Sequence, residues 1–518
     1  MIRPSAVGAS VALAAVVLVG CTTAEEVATS GGSGGTASES AGSTTLVASH
    51  PQEPGSWNYL EDPSTALMVP TYLNVVESLF ETAQDGSLQP LLAESVDVSD
   101  DGLTYTIALR EASFHDGSSF DSADVLYSLE KNATSATGAV SGPLASIVST
   151  DAPDAQTIVI EIAASSNAFL TALGTVATLV VPEGFFESSD AGAKLIGTGP
   201  FVFGEYVRDG SLTLNRFEDY WGEKPYMETI IHRFMADETA SINALRAGEL
   251  DVIGMLLGEG IDQVVGFVDD DAYSISFTPA TQSSFVFLNP DAEVMRDERV
   301  RQAIAHAIDR EPIVQAAVGG YADATCLYLV PGNVPWASNY CPYAYDPDRS
   351  RELLAEAGYA DGLTIDFPYL TIAEFPVSFE ILNAQLQEVG ITVDARGQDL
   401  ATWLDQVFGA SADYEISHIT NNPSVFGYGC EGGLSPLGIA GKELCDPQFE
   451  EFVANNDQIA DRGEYVASME SMVNHFADMA WVIPLFGKTE PTIARADIEG
   501  IAPYRTNLEM DYRKITLK

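Results

Sequence analysis

Two periodicities take turns along this chain, and their alternation constrains the fold more than any other feature. Leu103–Leu109 and Thr157–Ile162 alternate apolar and polar residues, as half-buried strands do. Thr45–Ala48, Leu250–Ile253, Ser284–Leu288 and Ile391–Ala395 are shorter strand candidates. Between them lie helical patterns. Val69–Phe80 places Tyr72, Val75, Val76 and Leu79 at helical spacing, and a helix is expected after the N-cap Asp121. Glu238–Ala247, Glu298–Asp309, Phe379–Val389 and Gly463–Ala480 also read as helices, as does a segment opened by Asp346-Pro347 and closed by Gly358. Strands and helices interleave throughout, so the expected class is mixed α/β. With 518 residues, 46% of them apolar, the chain can bury more than one core. It contains 24 Lys and Arg against 75 Asp and Glu, a formal charge of −51. That surface does not bind nucleic acid through phosphate contacts and is repelled by anionic lipid.

Membrane attachment must therefore be apolar or covalent, and the first residues supply it. After Arg3, an apolar stretch runs from about Ala6 to Gly20. It is shorter than the ~18 residues that span a bilayer and has the length of a signal-peptide core. Its end, Leu18-Val19-Gly20-Cys21, resembles a bacterial lipobox, which implies cleavage before Cys21 and diacylation of its thiol. Residues 22–43 are Ser, Gly, Thr and Ala with few apolar positions, the composition of a flexible tether. The expected location is the outer face of the cytoplasmic membrane, lipid-anchored.

Four further cysteines, Cys326, Cys341, Cys430 and Cys445, are an even number in an exported chain. Three pairings are open. The local one, Cys326–Cys341 and Cys430–Cys445, closes two loops of similar size, each able to contribute about 3 kcal/mol.

Motifs of catalysis and cofactor binding fail their context. GGSGG at 31–35 lies in the tether, with no strand–turn–helix around it. GYGCEG at 427–432 follows no clear strand, and Pro436 comes soon after. Gly487-Lys488-Thr489 has Val482 where a P-loop needs Gly. There is no HExxH, and the acidic runs Asp100-Asp101 and Asp269–Asp271 sit beside turns. No enzyme activity, cofactor or metal is expected.

A family resemblance covers most of the chain from about residue 45 onward. Leu91–Asn132, with Phe114-His115-Asp116-Gly117 and Asp124-Val125, is similar to the signature region of family 5 extracellular solute-binding proteins, the oligopeptide/dipeptide type of ABC importers. GTGPF at 197–201, Tyr220-Trp221, ETASINALRAGELDVI, the segment through Asp309-Arg310, and YDPDRSRELLAEAGY continue the match in order. As scaffold, His115-Asp116-Gly117 reads as a turn with a buried polar contact, Asp309-Arg310 as a helix-ending ion pair, and Tyr220-Trp221 as packing.

The resemblance implies a two-lobed periplasmic-binding-protein-like clam of type II, in the large cluster with an extra subdomain in lobe I. Lobe I would comprise 44–68, 195–278 and 489–518, with an inserted subdomain at 69–194. Lobe II would span 279–488, with crossings near Pro279 and Lys488. Ligand would bind in the cleft, and a monomer would pass it to a permease served by separate ATPase subunits. A peptide is the leading cargo; sugars, opine-like compounds and metal chelates are the alternatives, and a sensor lipoprotein or an extracellular hydrolase are competing roles. Peptide binders of the family hold the ligand's amino end with an Asp ahead of a conserved-type Pro, but alignment on Pro423 puts Ile419 there, with Asp413 as a fallback. Asn421 and Asn422 could orient a neutral polar ligand, and Phe426, Tyr428 and Trp403 could supply apolar faces unless they pack beneath a disulfide loop. Trp57 and Gln282 complete the candidate contacts.

Overall fold

The computed structural model describes residues 44–518, apart from 84–85, 136–137, 255–260, 269, 278–279, 281, 331–339, 373, 410–412, 422–427, 430–432, 435–445, 457, 460, 490 and 502–509. Cys21, Pro279, Asn422, Phe426, Cys430 and Cys445 therefore lie outside the described residues. Among the described residues, no helix is long and apolar enough to cross a membrane.

The protein is a two-lobed α/β clam. Lobe I is built on a seven-stranded sheet in the order Tyr273–Phe277, Pro491–Arg495, Val252–Ile253, Thr45–His50, Thr229–Phe234, Ser211–Arg216, Phe201–Val207. Thr45–His50 is parallel to both of its neighbours, Thr229–Phe234 and Val252–Ile253. Lobe II holds an antiparallel sheet, Asp323–Ala324, Val482–Lys488, Gln282–Leu288 and Ile416–Asn421. Beside it, Leu363–Leu370 and Ile391–Gln398 pair in parallel. The chain leaves the first sheet after Phe277 and enters the second at Gln282; it returns between Lys488 and Pro491.

A third sheet, Ala93–Val98, Thr104–Leu109, Thr157–Ile162 and Ile147–Asp154, is antiparallel and has its own core from Leu79 to Val180. Tyr105, Ile107 and Leu109 face that core while Thr104 and Thr106 point away, as the alternation predicts. Val69, Tyr72, Val75 and Val76, expected inside this insertion, pack into the lobe I core instead.

Caps end the helices where the sequence places them. Asp121 and Asp124 form a reciprocal capping box at the start of Ser122–Ala133. Asp346 caps Pro347–Glu356, and Gly358 beyond it takes φ +97°.

Three sequence readings need correction. Val69–Phe80 is not one helix: Thr65–Thr71 is helical, Leu73 takes φ +63°, and Phe80–Thr82 is a strand. Its apolar residues are buried all round, so their spacing marks burial and not a single helical face. Glu298–Asp309 ends at His306, and Arg310–Ala317 starts a second helix. Arg310 ends no helix through Asp309; its guanidinium donates to the carbonyls of Pro484 (2.7 Å) and Tyr343 (3.4 Å). Burial lowers its pKa to about 10 against the pull of the Asp309 charge, and backbone oxygens accept its hydrogen bonds.

The signature motifs converge on one buried carboxylate. Glu77, fully buried, accepts bonds from Thr198 Oγ1 (2.8 Å), Tyr220 Oη (2.8 Å) and Trp221 Nε1 (2.9 Å). Burial raises the Glu77 pKa, and these three donors together with Arg513 oppose that rise. Arg110 stacks over Trp221 at 3.9 Å. Gly197 N–H donates to His115 Nδ1 (3.3 Å), so Nε2 carries the proton it donates to the Gly199 carbonyl (2.8 Å). Burial pushes His115 down to about 4 and keeps the ring neutral.

Candidate functional site

The lobe II sheet ends, at the lobe crossing, in a polar cluster. Strand register places Gln282 opposite Lys488 and Ser284 opposite Thr420. Directly paired antiparallel residues share a face, so these four project to one side. Glu374 closes the same side from the turn that starts the helix Phe375–Glu388. Its carboxylate accepts from Thr420 Oγ1 (2.9 Å), and both of its oxygens lie 3.4 Å from Lys488 Nζ. The Glu374 side chain is 4% exposed and that of Lys488 17%, so the cation is the member that reaches solvent. Burial alone would raise Glu374; the Lys488 charge and the Thr420 hydrogen bond reverse this and hold it below the usual carboxylate range.

His418 lies one step deeper on that face. Its Nε2 meets Ser284 Oγ at 2.7 Å, and Phe375 packs against the ring at 5.0 Å. Among the described residues its Nδ1 has no hydrogen-bond partner, and burial drives its pKa to about 4 against the pull of Glu374.

An apolar ledge adjoins the cluster. Ile372 and Leu400 follow the ends of the parallel strands Leu363–Leu370 and Ile391–Gln398, which Thr371 N–H ties together through the Gln398 carbonyl. Both are exposed, as are Val377 and Leu404 on the two helices that follow. Ligands of open α/β sheets bind beyond the carboxyl ends of parallel strands, the position these residues occupy. The cluster and ledge together can hold a ligand that has both polar and apolar groups.

The predicted contacts distribute unevenly. Gln282 joins the cluster. Asn421 sits at the same strand end but pairs with Ser283, which puts it on the opposite face. Trp403 lies in the interior of lobe II: it is fully buried, its Nε1 donates to Ser417 Oγ (3.0 Å), and Phe287 and Phe408 pack against it. Trp57 is likewise interior, 2% exposed among Phe203, Tyr206 and Phe234 of lobe I. Unlike that of Trp403, the Trp57 Nε1 has no hydrogen-bond partner among the described residues. Tyr428 lies in a short strand paired with Leu434. Asp413 precedes Ile416, and the strand from Ile416 to Asn421 spans about 17 Å, so it stands away from the cluster. Glu374 is the carboxylate that sequence reasoning missed. Its only signal is an acidic residue one step before a helix that carries Pro in its first turn.

Cys326 and Cys341 are joined by a disulfide with Cα atoms 5.0 Å apart. Among the described residues no group of three or more His, Cys, Asp or Glu could hold a metal ion.

The fold is shared with solved binding proteins. A Brucella suis protein, NikA, in complex with Fe(III)-EDTA superposes with a TM-score of 0.78 at 22% identity, covering 92% of this chain and 100% of that one. Helicobacter pylori DppA with the peptide STSA gives 0.71 at 21% identity, covering 91% and 98%. In sequence, a Brucella ovis protein named as a peptide-binding protein of an ABC transporter is 35% identical over 338 residues, 62% of this chain. The match spans 63% of that relative's length. Residues 87–427 match bacterial extracellular solute-binding proteins, family 5 Middle. With two thirds of the chain matched in order, and the signature motifs meeting at Glu77, the chain belongs to the family 5 bacterial extracellular solute-binding proteins.

Proposed function

We propose that this protein is the substrate-binding component of an ABC importer and that its cargo is a peptide. The observation that carries the reading is the Gln282–Thr420–Glu374–Lys488 cluster, set against an apolar ledge where the chain crosses between lobes. The Brucella ovis relative, named as a peptide-binding protein, supports a peptide. The test is mass spectrometry of compound released from protein purified without added ligand. Short peptides are expected; a sugar, an opine-like compound or a metal chelate, as in the Brucella suis neighbour, would replace the peptide reading.

In this reading, lobe I takes 44–68, 195–278 and 489–518, and lobe II takes 279–488. The monomer works at the outer face of the cytoplasmic membrane, tethered through lipidated Cys21, and delivers cargo to a permease with separate ATPase subunits. Cys21→Ser is expected to release the protein from membranes; retention with lipid label would refute the anchor. Asn422 orients cargo, and Cys430–Cys445 staples the segment beside it. Asn422→Ala is expected to weaken binding by roughly 1–3 kcal/mol. With Ile419 in place of a carboxylate, acetylating a peptide's amino end changes its affinity little. Calorimetry with matched free and acetylated peptides checks this.

A further inference from the structure

The two lobes touch at the crossing and also away from it. At the crossing, Tyr321 of lobe II stacks on Phe277 with ring centres 5.1 Å apart, and its carbonyl accepts a bond from Thr489 Oγ1. The second contact joins parts of the chain 292 residues apart: Asn167 Nδ2 donates to the carbonyl of Ile459. Asn167 belongs to the third sheet's subdomain, whose core contains neither crossing strand. Ile459 lies in lobe II between the helices Pro447–Asn456 and Arg462–Asp478. Asn167 is 6% exposed, so its amide is shielded from water by the surfaces it joins.

We infer that Asn167 is a latch residue, which holds the subdomain of lobe I against lobe II and so sets how long the clam stays closed. Its own helix does not need it. Ser166 caps Asn167–Ala172 by accepting the Phe169 N–H at 3.0 Å, and the amide of Asn167 is spent on the other lobe. A neutral amide bond of this kind shifts an open–closed equilibrium by roughly five- to tenfold, more when its loss leaves the facing carbonyl unpaired. Cargo held by contacts to both lobes would be released faster by the same factor. The latch touches no residue of the polar cluster, so it acts on retention whatever the cargo is.

Asn167→Asp removes the donor and sets a carboxylate against the Ile459 carbonyl if the lobes stay together. An acidic residue in the first helical turn is favourable to the helix, but a carboxylate offers no donor to the Ile459 carbonyl. Hydrogen exchange of the full chain, as purified, is the readout. In the wild type, the amides of Gln458 and Ile459 bond to Asn455 and Asn456 at the lobe II side of the contact. In Asn167→Asp these amides are expected to exchange about five- to tenfold faster. The strand Thr157–Ile162 should keep its protection. Unchanged exchange at Gln458 and Ile459 would overturn the latch. If Asn167→Asp loosened Thr157–Ile162 as well, Asn167→Ala decides: faster exchange confined to the subdomain makes Asn167 a local structural residue and overturns the proposal. Faster exchange on both sides supports it.

Discussion

Glu374 and Lys488 show what a buried ion pair does at the end of a sheet. Taking either charge out of water alone is costly, so each holds the other in place. Lys488→Met is expected to destabilise the protein by about 3 kcal/mol in urea unfolding, because Glu374 is left buried without its cation. The double change Glu374→Gln with Lys488→Met should recover part of that loss, which a double-mutant cycle measures directly. His418 contributes a pH dependence of its own. Its pKa is about 4 in the folded protein and about 6.5 in an unfolded chain, so the unfolded state binds more protons between those values. Its contribution is fully present above about pH 6.5 and is lost as pH falls towards 4. His418→Asn should flatten part of the acid limb in a plot of melting temperature against pH. The buried His50, His115 and His232, whose pKa values are also lowered, contribute to the remainder, as do lowered carboxylates such as Glu374 and Asp511.

Among the elements, the turn at GTGPF tolerates little change. A Cβ on Gly197 would meet the Val75 carbonyl oxygen at 2.0 Å, where only backbone can give way. Gly197→Ala should therefore prevent normal expression or lower the melting temperature by many degrees, while Gly142→Ala, with open space around it, should not. The disulfide works through the unfolded chain: Cys326→Ser with Cys341→Ser is expected to cost about 3 kcal/mol in chemical unfolding. Much at this scale was legible beforehand. Thr104–Leu109 alternates because one face of its sheet is buried, and Asp121 announces its helix because capping chemistry is local. Val69–Phe80 misled because a segment buried on all sides carries no amphipathic period. Trp57 and Trp403 lie in the interior, and an aromatic that fills a core and one that meets a ligand look alike in sequence. Glu374 was invisible because its partners, Thr420 and Lys488, come from strands 46 and 114 residues away.

At the scale of the whole molecule, two crossings join the lobes, and the Asn167 contact supplies a third point of attachment. The second crossing carries Pro491–Arg495 back into the interior of the lobe I sheet, between Tyr273–Phe277 and Val252–Ile253. The edge strand Tyr273–Phe277 reaches the rest of that sheet only through it. Removing residues 489–518 should therefore strip Tyr273–Phe277 of exchange protection while leaving Gln282–Leu288 protected, since the lobe II sheet draws on none of the deleted residues. The same topology sets a timetable for biogenesis. A chain that emerges amino end first presents every strand of lobe II before the strand that completes lobe I. The earlier part of lobe I must then wait, with an unfilled slot in its sheet, until Pro491–Arg495 has emerged.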